Sequence, residues 1–164
     1  MKYLLDSNTF IEAKGRYYGM AICPAYWAWL LKAYEKGQVC SIEFVKEELI
    51  HYGDDLSDWV KAHKHIFFSE SDAATQKAFV EVVNIVYSMS QMNAGTHEEF
   101  LSGADPWLIA KAMVLGATIV THERYDVMIK KKILIPNICE RVGVKYLNTF
   151  DMLHELEAEF VLSV

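Results

Sequence analysis

The sequence is short of several residue types, and each shortage excludes something. Proline occurs three times and charged residues make up only 23% of the chain, which excludes wholesale disorder. The three cysteines, Cys23, Cys40 and Cys139, are odd in number and far apart. They suggest neither a disulfide framework nor a zinc cluster, and they fit a reducing cytoplasm. No apolar run approaches the roughly 20 residues of a membrane span. The apolar stretch before Asp6 is too short for a secretory signal. The expectation is a cytoplasmic protein without membrane association. There is no G-x-S-x-G elbow, phosphate-binding loop, H-E-x-x-H or glycine-rich dinucleotide fingerprint. His97 and His122 each precede a Glu, but neither has a second His four residues on.

Positive charge is also scarce. Sixteen Lys and Arg face 22 Asp and Glu, for a net charge of −6. A generic nucleic-acid binder is usually basic. The balance is uneven, however. Residues 37–105 carry four bases and twelve acids, whereas residues 106–145 carry seven bases and three acids. The chain is 52% apolar over 164 residues. That is enough for one domain spanning 1–164 with a sizeable core.

Short apolar segments alternate with helical periodicity. Strands are expected at Lys2–Leu5, Val39–Ile42, Ala117–Thr121 and Val144–Leu147, with a weak one at Ile66–Phe68. Helices are expected at Thr9–Lys14, Ala25–Lys36, Phe44–Tyr52, Leu56–His65, Ala73–Met92 and from Asp105 through Leu115. Residues 15–19 read as a loop, and Lys130–Pro136 has no clear period. Thr149 or Asp151 would cap a last acidic helix. The alternation predicts an α/β fold with a mainly parallel sheet.

In such a sheet, ligands bind beyond the carboxyl ends of the strands, where strand order reverses. Asp6 ends the first strand, Glu123 follows a later one, and Asp105 opens the helix that feeds that later strand. Glu48 lies on the helix after the second strand. Four clustered acids repel one another unless a cation sits among them, and oxygen-only ligands suit Mg²⁺ or Mn²⁺. Each acid alone has a plainer reading. Asp105 before Pro106 could be a helix cap, and Glu48 a solvated helix residue. Asp6-Ser7-Asn8 could be a turn, and Glu123 with Arg124 a surface pair. Asp126 competes with Glu123 for the same place. The conjunction carries the signal.

Four segments then resemble the motifs of PIN-domain nucleases, in family order. Tyr3-Leu4-Leu5-Asp6-Ser7-Asn8 resembles the opening D-[ST]-N. Ser41-Ile42-x-x-Val45-x-x-Glu48-Leu49 resembles the second motif. Asp105-Pro106-Trp107-Leu108-Ile109-Ala110 resembles the third, and Ile119-Val120-Thr121-His122-Glu123 the fourth. The nearest type is a divergent VapC-like toxin. The resemblance implies a three-layer αβα sandwich and Mg²⁺- or Mn²⁺-dependent endoribonuclease activity. Asp6, Glu48, Asp105 and Glu123 would form the catalytic and metal-binding acidic cluster. Asn8 and Thr121 would orient ligands or the attacking water. A cognate antitoxin and a homodimer are implied as well. Glu123 departs from the Asp common at the fourth motif.

RNA contacts need positive charge around such a centre. Lys14, Arg16, Lys111 and Arg124 are the candidates, with Lys130-Lys131-Lys132 as either contacts or a solvated run. Tyr17, Tyr18 and Trp29 could stack on unpaired bases. Two other readings remain. One is a catalytically silent PIN-like binding module. The other is a phosphatase, disfavoured because Asn8 stands where a second Asp would be needed.

Overall fold

The computed structural model describes residues 1–162. Its sheet has five parallel strands in the order β3-β2-β1-β4-β5: β1 (Tyr3–Leu5), β2 (Val39–Ile42), β3 (Phe67–Phe68), β4 (Thr118–Val120) and β5 (Tyr146–Leu147). The middle strands are apolar and buried on both faces, as parallel strands covered by helices must be.

Helices α1 (Ser7–Glu12) and α2 (Pro24–Glu35) lead into β2, and α3 (Glu43–His51) and α4 (Asp55–Ala62) into β3. The return to the sheet centre runs through α5 (Ala73–Tyr87), α6 (Thr96–Ser102) and α7 (Asp105–Leu115). Helix α8 (Ile135–Val142) then joins β4 to β5, and α9 (Thr149–Glu155) follows. Right-handed crossovers put the helices before β2 and β3 on one face and those before β4 and β5 on the other. The result is the expected αβα sandwich. Helix α7 is largely enclosed: Leu108, Ile109, Ala110 and Ala112 are buried where it packs against α5, α8 and the sheet.

Several local expectations change. The chain does not loop after α1; Ala13–Tyr17 continues as a π-helical turn. Helix α1 begins at Ser7, ahead of the expected Thr9, and Asp6 caps it by accepting from Asn8 N. Helix α5 ends at Tyr87, short of Met92, and Asn148 caps α9 in place of Thr149 or Asp151. Within the unclear stretch after Lys130, α8 begins at Ile135, with Pro136 in its first turn. There proline's missing N–H costs nothing.

Candidate active site

The strand order reverses beside β1, so the ends of β1 and β4 form the crevice of the sheet. Register puts Leu5 opposite Val120, and Asp6 N donates to Val120 O at 3.0 Å. Asp6 and Thr121 therefore leave the sheet side by side. Thr121 Oγ1 donates to Asp6 Oδ2 at 2.9 Å, while Asn8 N reaches Asp6 Oδ1 at 3.3 Å. Helix α3 brings Glu48 to the same edge. One of its oxygens accepts from Ser7 Oγ and the other from Ala104 N at 3.1 Å. Glu48 thus ties the start of α1 to the start of α7.

Asp105 is the first residue of α7, and Ala104 stands at the capping position without a side-chain cap. The carboxylate of Asp105 is therefore not a helix cap. It lines a cleft of about 800 Å³ together with Asp6, Asn8, Glu48 and Lys132. Glu123 lines a neighbouring cavity and meets this cleft through Lys132. Its Oε1 accepts from Lys132 Nζ at 2.8 Å and its Oε2 from Ile135 N at 2.7 Å.

The electrostatics follow from this crowding. Burial, with the charges of Asp6, Glu123 and Glu48, pushes Asp105 up to about 8. Asp6 is pushed up to about 6, chiefly by burial and then by Glu123 and Glu48, against the bonds from Thr121 and Asn8. Burial pulls the Lys132 ammonium down. Its bond to Glu123 and the nearby Asp105 and Asp6 outweigh this and raise it.

The donor set suits a hard divalent cation: carboxylate oxygens, excess negative charge and two acids forced toward neutrality. It is not drawn in on a single point. Among the described residues no three His, Cys, Asp or Glu side chains form a ready ligand group. Glu48 and Glu123 are turned toward protein donors instead. Asp126, the rival of Glu123, is exposed and accepts from Met128 N.

The expected RNA contacts divide. Arg16 and Arg124 are exposed beside the crevice. Lys14 is half-buried and paired with Asp54 at 2.6 Å and Asp55 at 2.9 Å. Lys111 must be corrected. It is buried, and its ammonium donates to Asp72 Oδ2 at 2.7 Å and Ser69 O at 2.9 Å. Its charge fastens α7 to the start of α5 and does not face RNA. Tyr18 stacks on Tyr26 with centroids 4.4 Å apart, and Trp29 packs against Phe160. Of the three ring candidates, only Tyr17 is largely exposed. The placement of Lys132 was not legible in the sequence, because three adjacent lysines carry no sign of which one lines the cleft.

The family described as "Domain of unknown function (DUF4411)" matches residues 3–160. The chain belongs to that family. No curated protein matches this DUF4411 chain. Among solved structures it is similar to the crystal structure of VapBC2 from Rickettsia felis bound to a DNA fragment from their promoter. The TM-score is 0.56 at 13% identity, over 90% of this chain and 98% of that one. What the two share is the fold, and that agrees with the αβα sandwich expected from the sequence.

Proposed function

We propose that this DUF4411 protein is a metal-dependent endoribonuclease, the toxin of a toxin–antitoxin pair. One observation carries the reading: Asp6, Glu48 and Asp105 line one cleft, and Asp105 is pushed up to about 8 by burial and by the charges of Asp6, Glu123 and Glu48. A cluster held against such repulsion is costly to the fold and serves chemistry. Asp6, Glu48, Asp105 and Glu123 would hold Mg²⁺ or Mn²⁺, with Glu48 and Glu123 exchanging protein donors for the ion. The bound ion would neutralise phosphodiester charge and lower the pKa of a bound water. Thr121 and Asn8 fix the Asp6 carboxylate through the bonds described above. Lys132 supplies positive charge to the cleft before and during substrate approach. The exposed Arg16 and Arg124 meet the RNA backbone.

The VapBC2 neighbour is a complex on promoter DNA. By that likeness this chain would pair with a cognate antitoxin; that it would also form a homodimer is implied by the motif resemblance alone. No helix among the described residues is long and apolar enough to cross a membrane. That agrees with action on cytoplasmic RNA.

The purified protein should cleave RNA with Mg²⁺ or Mn²⁺, and Asp6→Asn and Asp105→Asn should each lower kcat by at least about 100-fold. Full activity in both variants would remove the assignment. The internal bonds of Glu48 and Glu123 favour one alternative, a catalytically silent PIN-like binding module. That module would show no rise in Tm at millimolar Mn²⁺ and no cleavage.

A further inference from the structure

A second cavity, of about 590 Å³, lies beside the carboxylate cleft. Sites for small ligands span about 300–1,000 Å³. Its walls come from the π-helical turn, the segment after β4 and the start of α9. Thr121 and Glu123 line it as well, and each is bonded to a residue of the carboxylate cleft, Thr121 to Asp6 and Glu123 to Lys132.

Three aromatic side chains are exposed at this cavity: Tyr17 at 47%, Tyr125 at 51% and Phe150 at 44%. Tyr17 and Phe150 meet edge to face with centroids 4.9 Å apart. His122 completes the group, 6.1 Å from Tyr17 and 6.2 Å from Phe150. Its Nε2 is bonded to Thr149 Oγ1 at 3.1 Å, which fixes the ring and leaves Nδ1 for another partner. The guanidinium groups of Arg16 and Arg124 line the same space. The acids there are already engaged. Glu12 pairs with Arg16 at 3.2 Å, Glu123 with Lys132, and Asp151 with Asn148. What the cavity offers a ligand is therefore flat apolar faces, the His122 ring edge and, at Arg124, a guanidinium outside the ion pairs named above.

We infer that this cavity is a nucleobase subsite, which takes one unpaired base of the RNA whose backbone crosses the carboxylates. The inference rests on the nuclease reading above and adds to it a residue-level contact for one base. A paired base presents no free face to a ring, whereas an unpaired one stacks on Tyr17 and projects an edge toward His122 Nδ1. Arg124, exposed at the rim, contacts a neighbouring phosphate. The Thr121–Asp6 and Lys132–Glu123 bonds join the two spaces, so a chain that leaves the cavity there reaches the cleft of Asp6 and Asp105.

The test separates binding from cleavage. Anisotropy of a labelled single-stranded RNA is measured in EDTA, so that nothing is cut. Tyr17→Ala should weaken binding roughly 5- to 150-fold, the range of one lost aromatic–base stack, and Tyr17→Phe should restore most of it. With Mn²⁺, the same Tyr17→Ala substitution should raise KM and leave kcat near wild type. A walk of single abasic nucleotides through the RNA should find one position whose loss equals that of Tyr17→Ala and adds nothing on top of it. Binding by Tyr17→Ala equal to wild type would overturn the inference. So would full additivity at every abasic position, or Tyr17→Ala losing only the binding of a protein partner. If the wild type cleaves no RNA, the nuclease reading fails separately. The subsite is then judged by saturation-transfer NMR with the four nucleoside 5′-monophosphates. Contact that Tyr17→Ala abolishes keeps it as a nucleotide site, and no contact with wild type removes it.

Discussion

Asp105 shows most clearly what the site costs. Its carboxyl titrates near 8 in the fold against an ordinary 3.8, and Asp6 near 6. Between about pH 4 and 8 the folded protein therefore holds protons that the unfolded chain has released. Stability must fall as pH rises through that window and level off above it. In EDTA, Tm should decrease from pH 5 to pH 8.5. Asp105→Asn should flatten this slope and raise Tm at pH 8 by roughly 2–8 °C, on the order of 1–2 kcal/mol, while abolishing cleavage. A variant that is more stable and inactive is what a strained catalytic acid predicts. A variant with unchanged pH dependence would show that Asp105 is not under this repulsion. Mn²⁺ should raise Tm more at pH 8 than at pH 5, because metal and proton compete for the same oxygens. Scanning calorimetry at the two pH values reads all three effects.

Among the elements, α8 joins the site to the fold. Its backbone N–H at Ile135 is taken by Glu123, so the carboxylate acts as a cap for a helix that follows it by twelve residues. Glu123→Ala should cost about 0.5–2 kcal/mol, the usual loss when a cap is removed, and urea denaturation would measure it. Helices α5 and α7 are joined by the Lys111–Asp72 pair. Lys111→Met should leave RNA affinity unchanged and lower Tm, which separates its structural role from the RNA contact that its charge suggested.

The same elements show what a sequence can and cannot convey. The strands that carry Asp6 and Glu123 were legible because β-branched and apolar runs end at those acids. Glu48 and Asp105 were legible because chain order fixes which helix follows which strand. Asp105 was read equally as a helix cap, and only the structure shows its carboxylate facing the cleft. The turn of Lys132 into the cleft was not legible, because the irregular segment 124–134 has no period to follow. Helix α6 and the π-helical turn were missed for a related reason. They are short, and their side chains meet partners distant in the chain: Phe100 is buried in the common core, and the exposed Tyr17 lies against His122 and Phe150.

For the whole molecule, the net charge of −6 opposes RNA binding only if it is spread evenly. The fold does not spread it so. Acids are gathered at one crevice, Arg16 and Arg124 stand beside it, and Lys132 enters it. A divalent ion would turn that crevice from an anionic trap into a surface that accepts a phosphodiester. The central claim is therefore the metal itself. A crystal of the wild-type protein soaked in Mn²⁺ and measured for anomalous scattering tests it most directly. The account predicts one or two peaks among Asp6, Glu48, Asp105 and Glu123, with Lys132 displaced from Glu123. A crystal soaked at millimolar Mn²⁺ with no peak in that cleft, and the Lys132–Glu123 bond intact, would contradict it.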